Sequence, residues 1–148
     1  MHRYPDVEPP TPNPETRMIY FDKPFFAVQY DPVLRCATHQ CGGYFLREEY
    51  QEAMRQGLEV VGKTGATSLI VDVQAVRDEE NWDADWTATR WFPQILQTDV
   101  RKIAIVVPPA ALPHLPSLPV QCAVADQVLV GRFFADAGEA LRWIKHFG

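Results

Sequence analysis

The chain has 148 residues, of which 47% are hydrophobic and 22% are charged, and its formal net charge is −5 at pH 7. A chain of this length and composition forms one globular domain rather than a disordered chain, and its apolar runs are too short to span a membrane. Because it is acidic and has no Lys/Arg cluster, it offers no electrostatic surface to nucleic acid or to an anionic membrane.

The first residues predict a proline-rich arm over 1–17, followed by a single domain over 18–148. Prolines at positions 5, 9, 10, 12 and 14 supply no backbone N–H to a helix or a sheet. The chain begins Met-His-Arg-Tyr-Pro, which is not the apolar stretch of a secretory signal, and three cysteines are too few for a secreted disulfide scaffold. We therefore expect a cytoplasmic protein with reduced thiols.

A β-hairpin and a helix open the predicted domain. Residues 25–30 and 34–39 are strand-like, and a short turn containing Pro32 joins them. The next segment has apolar residues at helical spacing as far as Val61, and Gly62 and Gly65 are placed to end that helix.

The remaining segments alternate between strands and helices. Residues 68–72 and 103–107 are apolar runs, typical of central strands covered on both faces. Between them an aromatic segment from Trp82 has helical periodicity, and Pro93 predicts that its last turn is kinked or unwound. Residues 128–134 predict the last strand, and Asp136 begins a capping box for a final helix. The order β-β-α-β-α-β-loop-β-α predicts an α/β fold with a mixed, largely parallel sheet.

The order and spacing of several segments resemble one protein family. The segments are the hairpin, the helix that ends near Gly65, and residues 69–72, 82–93, 102–106, 132–134 and 137–143. Together they are similar to the STAS-like, anti-sigma-factor-antagonist-like (SpoIIAA-like) family of small bacterial proteins, over residues 18–147. The resemblance implies a STAS-like fold.

For the better-known members, the resemblance also implies regulation by a partner kinase that phosphorylates a serine after a central strand. Here the residues that follow Asp72 are Val-Gln-Ala-Val-Arg-Asp, which contain no hydroxyl, and the only serines are Ser68 and Ser117. We therefore expect no phosphoserine switch of that kind. A second implication is a small apolar ligand held between the helices and the sheet, which fold analogy alone supports weakly.

Residues 57–64 satisfy the phosphate-loop pattern G-x4-G-K-T. A working phosphate loop follows a strand and opens a helix, so that backbone N–H groups face the phosphates. Here the match falls at the end of a predicted helix, where carbonyl groups disfavour an anion. We interpret it as a glycine-capped helix end, and we predict neither nucleotide hydrolysis nor a cofactor.

Cys36, His39 and Cys41 form a short cluster of soft ligands that zinc prefers. Strand alternation places Cys36 on the face opposite His39 and Cys41, and no second cluster supplies further ligands. We therefore predict ordinary strand residues and no metal site, although a reactive Cys–His pair stays open.

Five residues are candidate ligand contacts: Asp72, Trp82, Trp86, Arg90 and His114. Asp72 ends a predicted central strand, where open α/β sheets place ligands, although aspartate also closes turns and caps helices. The two tryptophans begin the aromatic helix, where they either line a pocket or fill the core. For Arg90 and His114 the alternative is a solvated surface.

Leucines precede prolines every three residues, at Leu112, Leu115 and Leu118. A polyproline helix has three residues per turn and aligns these leucines in one ridge. The ridge packs on the domain, covers a ligand groove, or presents a surface to a protein partner.

Because the sequence shows no paired nucleophile and base, we expect a non-enzymatic domain that acts by association with a protein partner or with itself. The alternative is a carrier or sensor of a small apolar, lipid-like ligand between the aromatic helix and the sheet. The third hypothesis is an enzyme that uses residues 62–64 or the Cys36/His39/Cys41 cluster.

Overall fold

The computed structural model describes residues 18–77, 86–115, 120–124 and 127–146; the predicted arm over 1–17 lies outside them. Within the described residues seven strands form one sheet, in the order β1-β2-β3-β4-β5-β7-β6. The strands are β1 (Met18–Lys23), β2 (Phe26–Asp31), β3 (Cys36–Gly43), β4 (Ser68–Val76), β5 (Lys102–Val106), β6 (Val120–Val124) and β7 (Gln127–Phe134). The helices are α1 (Arg47–Thr64), α2 (Phe92–Ile95) and α3 (Ala137–His146).

The predicted hairpin is confirmed as β2 and β3, which pair antiparallel from Phe26 opposite Cys41 to Asp31 opposite Cys36. Asp31 stabilises the turn, because its Oδ1 accepts a hydrogen bond of 2.9 Å from the N–H of Val33. The sequence did not predict β1, which pairs antiparallel with β2 and forms one edge of the sheet.

The centre of the sheet is parallel, since β3 pairs with β4, β4 with β5, and β5 with β7 in the same direction. Most side chains of β4 and β5 are buried, which confirms that these strands are covered on both faces. The other edge, β6, pairs antiparallel with β7. Placing residues 120–124 in a loop was therefore wrong; an edge strand pairs on one side only and gives a weaker sequence signal.

The two long helices cover opposite faces and different strands. α1 contacts β1, β2 and β3, whereas α3 contacts β4, β5 and β7. The core is accordingly divided by the sheet, with Met54 and Val61 of α1 in one buried cluster and Trp143 and Ile144 of α3 in the other. No helix in the described part of the chain is both long enough and apolar enough to cross a membrane.

α1 ends at Gly65, as predicted, whereas Gly62 is one of its helical residues. Gly65 adopts a left-handed backbone conformation with φ of 71°, and its N–H donates to the carbonyl of Val61 at 3.1 Å. This conformation is the one that glycine adopts without a steric penalty, so the chain stops the helix here and turns into β4.

The described part of the aromatic segment is a π-helical turn, Thr87–Trp91, followed by α2. We predicted that Pro93 disrupts the last turn, but Pro93 lies in the first turn of α2 and the irregular winding precedes it. Because Pro93 has no N–H, it cannot donate to a carbonyl of the π-helical turn before it. Trp91 and Ile95 face the core.

Both ends of α3 are held by polar contacts. Asp136 Oδ1 accepts a hydrogen bond of 3.0 Å from the N–H of Gly138, which is the predicted N-cap. At the other end, the buried Lys102 Nζ donates to the carbonyl of Ile144 at 2.8 Å. A cation at this position also favours the negative end of the helix dipole.

Candidate functional site

A cavity of about 330 Å³ lies at the carboxyl end of the parallel strands, on the same face of the sheet as α1. Its described lining is Val73, Val76, Ile105, Val107, Pro108, Ala111, Leu115 and Phe133. These residues come from β4, β5, β7 and the segment that follows β5. Open α/β sheets bind ligands at this edge, and the volume lies at the lower end of the range for small-molecule sites, about 300–1,000 Å³.

A β-bulge in β4 shapes one wall of this cavity. Between two registered pairs, β3 advances from Gln40 to Gly42 while β4 advances from Asp72 to Ala75, so β4 carries one extra residue. In a regular strand, side chains three residues apart point to opposite faces. The extra residue instead lets both Val73 and Val76 line the cavity.

Residues 108–115, which we term the cap segment, cover the cavity. The segment closes turns on itself, with the N–H of Ala111 donating to the carbonyl of Pro108 at 2.9 Å and that of Leu115 to Leu112 at 3.1 Å. Its leucines and Ala111 pack against the core cluster on the α1 face. Apolar packing therefore contributes strongly to its attachment to the sheet.

The chemistry of the cavity is that of a hydrocarbon environment. None of its described lining side chains carries a hydroxyl, a thiol, an amide or an ionisable group. These side chains remove apolar ligand surface from water, which stabilises a complex by about 25 cal/mol per Å². They supply no nucleophile and no proton donor, so the arrangement is suited to binding.

A family model described as SpoIIAA-like matches residues 40–145, which include α1, the strands from β4 to β7 and the cap segment. The chain belongs to the SpoIIAA-like family. Together with the mixed sheet, membership confirms the predicted family and the STAS-like fold class. It fits a regulatory STAS domain, a kind that typically interacts with proteins. No curated protein and no solved structure matches the chain.

In this SpoIIAA-like domain Asp72 directly precedes the bulge and does not belong to the described cavity lining. The prediction that it ends its strand was wrong, because β4 continues to Val76. Its side chain is buried, and the carboxylate accepts hydrogen bonds from Gln74, at 3.1 Å from the backbone N–H and 3.3 Å from Nε2. Asp72 thus stabilises the local backbone within β4.

The other predicted ligand residues are spread over the SpoIIAA-like domain. Trp86 is half-buried, with its ring 6.2 Å from that of Tyr50 and 5.5 Å from the guanidinium carbon of Arg55. Arg90 and His114 are exposed. These three do not belong to the described cavity lining, and Trp82 lies outside the described residues.

The predicted leucine ridge has a different backbone from the one expected. Leu112–His114 is a 3-10 helix, not a polyproline helix. A 3-10 helix also has three residues per turn, so Leu112 and Leu115 still point the same way. Both are half-buried against the core, and Leu115 lines the cavity; Leu118 lies outside the described residues.

The cysteine–histidine cluster is divided by the sheet, as strand alternation predicts. Cys36 belongs to the core cluster on the α3 face and Cys41 to that on the α1 face. Burial, with the charge of Asp72 acting the same way, raises the pKa of Cys41 to about 12. A thiol with that pKa is protonated at neutral pH and is a poor nucleophile and ligand.

His39 is fully buried between the rings of Phe26 and Trp91, whose centroids lie 5.8 and 6.0 Å from its own. Neither ring nitrogen has a hydrogen-bond partner among the described residues. Burial lowers the pKa of His39 to about 4, with the nearby Gly57 backbone acting in the opposite direction. The ring is therefore neutral at pH 7 and serves as core packing.

Residues 57–64 lie in the carboxyl-terminal half of α1, which confirms that the phosphate-loop pattern occurs in a helix. Gly57 is buried against the ring of His39, where a Cβ atom would lie 2.5 Å from Cε1. Thr64 Oγ1 bonds back to the carbonyl of Val60 at 2.8 Å. Residues of this pattern thus have structural roles that do not involve phosphate binding.

Sequence reasoning placed a pocket beneath the leucine-rich loop but missed most of its lining, including Val76 and Phe133. Two features of the sequence indicate parts of the lining that were missed. Apolar residues continue past Asp72, which indicates a longer strand, and Val107 is followed by Pro108 and Pro109, which end strand pairing at the sheet edge. The bulge that brings Val73 and Val76 together has no comparable pattern.

Proposed function

We propose that this SpoIIAA-like domain is a non-enzymatic binding protein that carries or senses a small apolar ligand in the cavity beneath the cap segment. The cavity of about 330 Å³ with its apolar lining is the observation that carries the proposal. The absence of polar side chains from the described lining favours hydrophobic binding over catalysis.

The energetics of an empty cavity support the same function. An unfilled apolar volume forfeits dispersion contacts that a close-packed interior makes. The cavity is partly open to solvent and lies at the edge of the α/β sheet where ligands bind, so a ligand can enter it from outside. Binding removes the cost of the cavity and stabilises the folded state.

Occupancy is tested by mass spectrometry under native conditions on freshly purified protein, together with thermal melts against a panel of fatty alcohols, fatty acids and terpenoid alcohols. We expect a bound adduct, or a rise in melting temperature that saturates with ligand concentration. Ala111→Phe places a ring in the cavity and should abolish both signals. Ala110→Phe is the matched control, because Ala110 is exposed on the same segment.

A bare polypeptide mass combined with no thermal shift across the panel would contradict the proposal. Equal ligand response in the Ala111→Phe and Ala110→Phe proteins would also contradict it, because binding would then occur elsewhere.

The second candidate function is association of two copies of the chain through Tyr44 and Leu46. These residues are 73% and 62% exposed, between β3 and α1. Leu46 occupies the N-cap of α1, a position where Ser, Thr, Asp and Asn are preferred over leucine by about 1 kcal/mol. The backbone N–H of Leu46 donates to Glu49 Oε1 at 2.7 Å, but its apolar side chain supplies no cap and stays exposed, which favours a role in contact with a partner.

Sedimentation velocity over a range of protein concentrations tests this second function. We expect a concentration-dependent dimer that the double substitution Tyr44→Ser and Leu46→Ser dissociates. Val33→Ser is the control, because Val33 is 61% exposed in the β2–β3 turn at the other end of β3. A monomer at every concentration contradicts self-association.

A further inference from the structure

The described lining of the cavity offers no charged side chain to a ligand. All eight of these residues are uncharged, although the chain as a whole carries a net charge of −5. A carboxylate or ammonium group placed inside would lose its hydration without an ion pair in return, at a cost of several kcal/mol. The lining therefore disfavours a charge on the enclosed part of a ligand.

Backbone donors do not replace the missing charges along the cap segment. Pro108 and Pro109 have no N–H, and the N–H of Val107 donates to the carbonyl of Phe134 at 2.8 Å. The N–H groups of Ala111 and Leu115 close turns within the segment. Anion sites built from backbone are made of N–H groups that point at the ligand, and at the positions just named these groups are absent or already bonded.

The cavity volume limits the size of the enclosed group. An apolar cavity of about 150 Å³ takes up one benzene molecule, so a volume of about 330 Å³ holds roughly a dozen non-hydrogen atoms. That is the size of a medium-chain alcohol or a small bicyclic alcohol, and it is far below that of a phospholipid with two acyl chains.

We infer that the cavity selects an uncharged apolar ligand of roughly a dozen non-hydrogen atoms over carboxylates and amines of the same chain length. This inference rests on the proposed function, since it specifies the chemistry of the ligand that the cavity would take.

The experiment is calorimetry or fluorescence titration of the full chain at pH 7.5 with 1-decanol, decanoate and decylamine, which share one alkyl chain. Vesicles of dimyristoylphosphatidylcholine test a larger ligand that has two acyl chains. We expect 1-decanol to bind at least tenfold more tightly than either charged probe, and no phospholipid to be extracted from the vesicles. Ala111→Phe should abolish binding of 1-decanol, whereas Ala110→Phe should preserve it.

Each other outcome overturns the inference in a distinguishable way. Equal or tighter binding of decanoate, weakened by Arg77→Gln next to the lining residue Val76, would show recognition of an anionic head group; the proposed function would then stand and the inference would fail. Extraction of phospholipid would refute the size limit alone. If no probe binds, the proposed function and the inference fail together.

Discussion

His39 is a fully buried imidazole whose pKa is lowered to about 4 by burial, against an ordinary value of 6.5. Between these two pH values the unfolded chain binds a proton that the folded chain excludes, so folding stability decreases as the pH falls. This difference in pKa corresponds to a loss of about 3 kcal/mol in the free energy of unfolding between pH 6.5 and pH 4.

Urea denaturation at several pH values measures this dependence. We expect His39→Leu to remove most of this decrease in the free energy of unfolding with falling pH, because leucine does not titrate. His146→Asn is the control, since His146 is exposed at the end of α3 and its substitution should leave the slope as it is in the unmodified chain. An identical pH dependence in the His39→Leu protein would contradict the assignment.

Cys36 and Cys41 are both buried thiols, and burial raises the pKa of Cys41 to about 12. In a Cys122→Ser protein, which isolates these two, we expect neither to react with an aromatic disulfide reagent within minutes under native conditions at pH 8. Both should react at once in denaturant. Rapid labelling of the folded protein would indicate that β3, which carries both cysteines, opens readily. A reactive thiol would then again be a hypothesis for this protein.

At the scale of elements, α1 approaches the sheet most closely at Gly57. Alanine normally stabilises a helix interior by up to about 1 kcal/mol relative to glycine. At Gly57, however, a Cβ atom would lie 2.5 Å from Cε1 and 2.8 Å from Nε2 of His39, a ring with no free space to move into. We expect Gly57→Ala to destabilise the fold by about 1–3 kcal/mol.

Gly62 provides the matched control in the same helix. It is exposed, and a Cβ atom there meets nothing within 4 Å, so Gly62→Ala should stabilise by about 0.5–1 kcal/mol. In a His39→Ala background the penalty of Gly57→Ala should largely disappear, which a double-mutant cycle in urea measures. Stabilisation by Gly57→Ala in the unmodified background would show that α1 lies farther from β3.

The sequence predicted the elements whose own residues carry a strong pattern. The helical spacing of α1, the glycine that ends it, the hairpin turn at Asp31 and the apolar runs of β4 and β5 are all local signals. β1 and β6 were missed because each pairs with a single neighbour at an edge. The bulge after Asp72 was missed because it depends on the register between two strands, which no local pattern reports.

The candidate site was predicted less well for a related reason. The sequence indicated a pocket beneath the leucine-rich loop, and its candidate contacts were polar or aromatic residues such as Asp72 and Trp86. The cavity is instead lined by aliphatic residues and Phe133 from β4, β5, β7 and the cap segment. Such residues also fill ordinary cores, so their composition does not separate a ligand cavity from packed interior.

At the scale of the whole molecule, the cavity follows from the offset of the two long helices. α1 lies against β1, β2 and β3, and α3 lies against β4, β5 and β7 on the other face. On the α1 face, the carboxyl ends of β4, β5 and β7 are therefore covered in part by the cap segment. A short irregular segment fills such a region less completely than a helix, and the unfilled volume is the candidate site.

This arrangement predicts that filling the cavity stabilises the ligand-free protein and prevents ligand binding. Cavities in cores cost about 24 cal/mol per Å³, so filling part of this one with Ala111→Phe should raise the free energy of unfolding of the ligand-free protein by about 1–2 kcal/mol. Ala110→Phe, on the exposed side of the cap segment, should change it by less than about 0.5 kcal/mol. Urea denaturation of protein stripped of ligand measures both, with an unchanged m-value as the check that only the folded state is affected. If Ala111→Phe destabilises the protein and Ala110→Phe does not, the cap segment already occupies this volume in solution. A ring is tolerated only where space exists.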